Sequence, residues 1–181
     1  MRIWVKKLGL ICMLAAFLWG ASGAAEAPEY YTRGERVAEF ALTTWADEAV
    51  TLSELLAEKE VVLLHIFTLR CGGCEEEMPL LQAAYEVWSD RVALLAVTID
   101  AGDTDKQLRT YCTRRGLTFP TARDTADLAY QYPIYGVPTT FVIDRDGVLR
   151  GIKEGAIKDL AEFEKLITPW LAVPEEKNVA E

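Results

Sequence analysis

Thr68-Leu69-Arg70-Cys71-Gly72-Gly73-Cys74-Glu75-Glu76-Glu77-Met78-Pro79 joins an apolar run, Val61–Phe67, to a helix-forming run that follows it. The apolar run has the length of a buried strand and is too short to span a membrane. Cys71 and Cys74 therefore sit where a strand ends and a helix begins. Two cysteines separated by two residues at a helix N-terminus can close a small disulfide ring and reopen it. The unpaired N–H groups and the positive end of the helix dipole stabilise a thiolate on the first cysteine, and the thiolate is the nucleophile of thiol–disulfide exchange. The stretch reads as a redox pair.

Two plainer readings compete. Half of a zinc site would need further ligands, and downstream of the N-terminal apolar block only Cys112 and His65 remain, neither with the spacing of a second pair. No metal is expected. A structural disulfide over so short a ring would restrain little of the unfolded chain. The strand-then-helix context favours redox chemistry.

The chain has 181 residues, 51% of them hydrophobic, enough for one domain with a substantial core and little room for a second. Residues 1–25 fall outside it. Arg2, Lys6 and Lys7 precede an apolar block, Leu8–Trp19, and the small residues Ala21–Ala25 offer cleavage positions after Gly23 or Ala25. This is the layout of a secretory signal peptide. An N-terminal membrane anchor is the competing reading, because Leu8–Ala25 is nearly uncharged and close to the shortest spanning length. Either reading places the globular part at the periplasm or the extracytoplasmic face of the membrane, exported by its N-terminal signal. Loss of the three basic residues takes the formal charge from −9 to −12. Such a surface repels nucleic acid and anionic headgroups, leaving protein or small-molecule partners. An exported dithiol also needs an electron source or sink in its own compartment, such as a membrane electron donor.

Outward from the motif, Ala38–Thr43 alternates as a strand with Ala38, Phe40 and Leu42 on one face, and Val50–Leu52 returns across a turn at Ala46–Glu48. Ser53 is read as N-cap of a helix over Glu54–Lys59. Met78, Leu81, Ala84, Tyr85 and Trp88 mark the inner face of the helix after the motif, with Pro79 inside it as an expected kink. A second apolar strand is expected over Arg91–Ile99, then a helix over Asp103–Arg115 stopped by Gly116. Cys112, on its inner face, reads as a small buried hydrophobe. A brief extended segment ends at Phe119-Pro120, and one or two helical turns span Ala126–Gln131. Val137–Asp144 and Val148–Gly151 are expected to pair across Arg145–Gly147, and an amphipathic helix over Lys158–Leu171 closes the domain. The domain is thus expected over residues 26–173, with a disordered polar tail over 174–181. Apolar strands alternating with helices imply an α/β fold, a three-layer sandwich with a mixed central sheet.

Cys71-Gly72-Gly73-Cys74 after an apolar strand, Glu77 and Pro79 behind it, Phe119-Pro120, and Gly136-Val137-Pro138-Thr139-Thr140-Phe141-Val142-Ile143-Asp144 followed by Asp146-Gly147 resemble the exported TlpA/ResA-type thioredoxin-like thiol–disulfide oxidoreductases of the AhpC/TSA-Redoxin superfamily. The resemblance spans about residues 36–170. It implies a thioredoxin fold with an N-terminal β-hairpin and a central strand–helix insertion, here Arg91–Arg115. It also implies roles without a cofactor: Cys71 as nucleophile, Cys74 as resolving thiol, and Pro138 as a cis-proline facing the pair. The Val137 backbone would bind the substrate peptide as a short antiparallel strand. Glu77 matches the carboxylate that members carry three residues after the second cysteine. Beside a dithiol it would disfavour thiolate and carry the proton that exchange requires. Glu75 and Glu76 read as first-turn acids that favour the helix dipole.

Three departures stand out. Arg70 replaces the usual Trp, and Gly72-Gly73 replace a pair that often holds proline. Arg70 could stabilise the Cys71 thiolate or contact substrate, while the three glutamates oppose it. His65, the only histidine, stands six residues before Cys71, where thioredoxins carry Asp and TlpA-type proteins often Asn. It is either a proton shuttle for Cys74 or a hydrogen-bonded structural residue. The leading function is therefore an exported oxidoreductase exchanging electrons with protein disulfides or thiols, apocytochrome c among the candidate clients. It is read as a reductant because an acidic site destabilises thiolate. The alternative is a thiol peroxidase of the peroxiredoxin type, suggested by Thr68-x-x-Cys71 but lacking a proline at Leu64. A copper chaperone would need a histidine after Cys74, and none follows.

Overall fold

The computed structural model describes residues 30–172. The expectations for a signal or anchor over 1–25 and a tail over 174–181 lie outside the described residues. In chain order the elements are β1 (Ala41–Thr43), β2 (Ala49–Thr51), α1 (Leu52–Glu58), β3 (Val61–Phe67), α2 (Gly72–Trp88), β4 (Val92–Thr98), α3 (Asp105–Arg115), β5 (Thr121–Arg123), α4 (Leu128–Gln131), β6 (Thr139–Asp144), β7 (Leu149–Glu154) and α5 (Leu160–Ile167). A 3₁₀ turn over Thr168–Trp170 follows, with Pro169 inside it. Among the described residues no helix is long and apolar enough to cross a membrane.

The sheet has the order β5-β4-β3-β6-β7. β3, β4 and β5 run parallel; β6 and β7 are antiparallel to their neighbours. β3, the apolar run before the motif, is therefore central. Every residue of β3 and β4 is buried, as a strand covered on both faces requires. Alternate residues divide between two cores. Val61, Leu63 and Phe67 face α2, α3 and α5, packing with Met78, Leu81, Cys112 and Phe163. Val62, Leu64 and Ile66 face α4 and the β1–β2 hairpin, packing with Phe40, Leu42, Leu128 and Tyr132. This is the expected α/β three-layer arrangement with a mixed sheet and an N-terminal hairpin.

Local chemistry moves several boundaries. Phe40 and Leu42 share the buried face as expected, but the chain before β1 is irregular, so Val37 is buried in place of Ala38, which is exposed. α1 is capped by Thr51, not Ser53. The Thr51 hydroxyl accepts from the Glu54 amide, and the Glu54 carboxylate accepts from the Thr51 amide. α3 starts at Asp105 behind the same kind of reciprocal cap, Thr104 with Gln107, so Asp103 lies outside the helix. Gly116 ends α3 at φ 63°, in the left-handed region that a side chain would strain. The expected strand–helix unit over Arg91–Arg115 is β4 plus α3, and it leads into β5, which pairs through three residues with the end of β4. α2 runs through Pro79 as one helix. α5 is shorter than expected because Asp159 caps it and Pro169 follows it.

Cap loss should be measurable. Thr51→Ala removes the hydroxyl half of the reciprocal cap, leaving the Glu54 amide without its acceptor, and should lower unfolding free energy by about 1 kcal/mol in urea titration.

Candidate active site

Cys71 is the N-cap of α2, and its Sγ accepts the Cys74 amide at 3.1 Å. A sulfur thus occupies the place that an Asn or Ser oxygen usually holds at a helix start. The two cysteines are disulfide-bonded, their Cα atoms 5.2 Å apart. Cys74 is fully buried, whereas Cys71 is partly exposed. An incoming sulfur can therefore reach only Cys71.

The peptide bond between Val137 and Pro138 is cis, at the point where the chain enters β6. The Val137 carbonyl oxygen lies 3.8 Å from Cys71 Sγ. A side chain at Gly73 would meet Pro138 Cδ at 3.9 Å, so the proline ring faces the cysteine loop. Gly72 and Gly73 are exposed, and nothing lies within 4 Å of a Cβ built at Gly72.

Beneath the cysteines the helix turns Glu77 inward, one turn after Cys74 and on the same buried face. Its Oε1 accepts the Ile157 amide at 2.8 Å. Burial pushes its carboxyl up to about 7, opposed by the Ile157 amide and the charge of Lys153. His65 shares the α2-facing side of β3. Its Nδ1 lies 2.9 Å from Thr140 Oγ1, its register partner on β6, and its Nε2 lies 3.9 Å from Glu77 Oε2. Burial pulls the imidazole down to about 3, so it is neutral across the physiological range. Neither His65 Nε2 nor Glu77 Oε2 has another partner.

Arg70 is at the rim. Its guanidinium donates to Asp100 Oδ2 at 2.5 Å and is two-thirds exposed, so its charge is compensated by Asp100. Glu75 is likewise paired, with Arg115 at 2.8 Å, while that guanidinium stacks on Tyr111. The contest expected between Arg70 and three glutamates therefore reduces mainly to Glu77, the buried one. Leu69, Arg70, Lys106, Arg114 and Arg115 line a groove of about 490 Å³ beside the loop.

Asp103, read in the sequence as a helix residue, has another task. Buried between strand and loop, its Oδ2 accepts the Leu69 amide at 3.2 Å and the Thr98 hydroxyl. It ties the end of β4 to the segment carrying Cys71. Nothing local in the sequence signals this contact, which spans 34 residues. Asp103→Ala strands both donors and should cost about 1–3 kcal/mol in unfolding free energy, with faster amide exchange at Leu69.

A family profile described as the AhpC/TSA family matches residues 33–152. The chain belongs to that family. It is 26% identical to the thioredoxin-like protein YneN of Bacillus subtilis, over 92% of this chain and 98% of that one. With the thiol-disulfide oxidoreductase ResA of Geobacillus kaustophilus it shares 30% identity, covering 68% of this chain and 70% of its relative. The crystal structure of StoA from Bacillus subtilis superposes with a TM-score of 0.62 at 26% identity, over 73% of this chain and 98% of StoA. This AhpC/TSA member has the thioredoxin fold expected from its sequence and is a thiol–disulfide oxidoreductase.

Proposed function

We propose that the protein is exported and acts as a reductant of disulfides in other exported proteins, with Cys71 attacking and Cys74 resolving. The observation that carries this reading is the asymmetry of the pair: a partly exposed sulfur beside a cis-proline, bonded to a fully buried one above a buried carboxyl. Starting from the dithiol, the Cys71 thiolate attacks one sulfur of the client disulfide and expels the other as a thiolate, which takes up a proton. Cys74 then gives its proton to the Glu77 carboxylate and attacks Cys71 Sγ, expelling the second client sulfur as a thiolate, which takes up a proton, and leaving the Cys71–Cys74 disulfide. Two electrons pass to the client, and a membrane electron donor restores the dithiol.

The reducing direction follows from charge. The helix N-terminus favours thiolate, but Arg70 is paired with Asp100, and the buried Glu77 one turn after Cys74 on the same helix opposes thiolate when it is ionised. A poorly stabilised thiolate leaves the disulfide relatively favoured, which lowers the potential. The Val137 carbonyl at the mouth of the site suits a client backbone laid alongside as a short strand.

A client carrying the C-x-x-C-H haem-attachment sequence tests the apocytochrome c possibility. The reduced protein should convert an oxidised peptide of that sequence to its dithiol, counted by thiol alkylation. No transfer to this peptide or to any exported disulfide protein would overturn the reading. A membrane-impermeant alkylating agent applied to intact cells should label Cys71 after reduction, and its protection until lysis would contradict export. The peroxidase alternative predicts peroxide consumption, whereas disulfide exchange predicts none that competes with it.

A further inference from the structure

The centre of β3 carries an unfinished contact. His65 and Glu77 are both buried, and His65 Nε2 and Glu77 Oε2 face each other at 3.9 Å with no other partner. Buried polar atoms are seldom left unpaired, and one proton between these two would satisfy both once the gap closes to roughly 3 Å. The opposite ends of the pair are already anchored, Nδ1 on Thr140 Oγ1 and Oε1 on the Ile157 amide.

Two arrangements place a proton in the gap. With Glu77 protonated, its O–H donates to Nε2, and the imidazole holds its own proton on Nδ1, donating to Thr140 Oγ1. With Glu77 ionised, the imidazole holds that proton on Nε2, donating to the carboxylate, and the Thr140 hydroxyl donates to Nδ1. The hydroxyl can play either part because it is both donor and acceptor. The imidazole carries one proton throughout; only the carboxyl gains or loses one.

We propose that His65 is a positioning residue for Glu77, exchanging its Nδ1–H and Nε2–H tautomers as the carboxyl takes up and releases its single proton. It thereby offers Glu77 a hydrogen bond in both charge states, which a carboxyl in an apolar pocket would lack. The inference rests on the reading of Glu77 as the proton carrier for Cys74, and it explains why an imidazole can occupy this place without carrying charge. A neutral imidazole is what burial dictates over the range in which the carboxyl titrates. The charged groups around the pair are Lys153 of β7, whose charge favours the carboxylate, and Glu162 of α5, whose charge disfavours it, while Cys74, one turn back on α2, is held in the disulfide. Lys153 and Glu162 lie 3.6 Å apart and offset each other. Phe67 of β3 stacks near the imidazole and adds no charge.

The test is the ¹⁵N spectrum of His65 in the intact, oxidised protein, followed from about pH 5 to 9. As the chain's one histidine, it needs no assignment. The proposal expects Nδ1 to be the protonated nitrogen at the acid end and Nε2 at the alkaline end, with a midpoint near 7 and no imidazolium. Glu77→Gln should freeze a single tautomer across the range. One unchanging tautomer in the wild-type protein would overturn the proposal, as would titration to imidazolium near the ordinary 6.5. This readout is independent of disulfide exchange: normal turnover by Cys74→Ser would sink the functional reading and leave the tautomer result standing.

Discussion

Cys71→Ser should abolish disulfide exchange, while Cys74→Ser should accumulate a mixed disulfide between Cys71 and its client. The difference follows from burial. A client sulfur meets Cys71 at the surface and cannot reach Cys74, which is fully enclosed. Without Cys71 there is no accessible nucleophile, because the remaining described cysteine, Cys112, is buried and its thiol is pushed up to about 11. Without Cys74 the first step proceeds and the second does not, since Cys74 is the group held in place to attack Cys71. Non-reducing gels of Cys74→Ser mixed with exported proteins should show the adduct, and dithiothreitol should dissolve it. Multiple turnover by Cys74→Ser would sink the two-cysteine mechanism.

The second large effect is on stability against pH. Glu77 titrates near 7 when folded and near 4.5 when unfolded. Between these values the folded chain holds the extra proton, so this group alone makes stability fall as pH rises, by about 3 kcal/mol in all. His65 titrates near 3 when folded and near 6.5 when unfolded. Between those values the unfolded chain holds the extra proton, so this group makes stability rise with pH, by about 5 kcal/mol. From about 4.5 to 6.5 the two slopes cancel, and the contribution of the pair is flat. Single variants should expose what the pair conceals. Glu77→Gln should gain stability as pH rises from about 3 to 6.5, and His65→Asn should lose it between about 4.5 and 7, in denaturant titrations at a series of pH values. Two flat, parallel profiles over these windows would show that neither group has the environment described for it.

The features legible in the sequence are those written in adjacent residues. The strand before Cys71, the helix after Cys74 and the proline at the start of β6 are each signalled by a run of a few residues, and they converge in the structure. The cap of α1 is local too. Thr51 and Ser53 are both hydroxyl residues, but only Thr51 has a Glu three residues on, Glu54, and that spacing marks the cap. β5 has no signal in the sequence, because three residues carry no periodicity and its strand character comes from pairing with β4. The remaining contacts join segments distant in the chain. The Asp103 tie to Leu69, the Glu75–Arg115 pair and the His65–Thr140 pairing each depend on register or helix rotation, which no neighbouring residue encodes. His65 could be placed six residues before Cys71 from the sequence, but its approach to Glu77 could not.

The central claim is that this site is reducing, and the equilibrium reduction potential of the Cys71–Cys74 pair tests it most directly. The disulfide state is read by thiol alkylation against graded glutathione and dithiothreitol buffers. With Arg70 neutralised by Asp100 and Glu77 buried under Cys74, the account predicts a value near or below that of thioredoxin, about −270 mV. A value near that of the strong oxidant DsbA, about −120 mV, would mean that the helix N-terminus dominates and that the protein donates disulfides instead of reducing them.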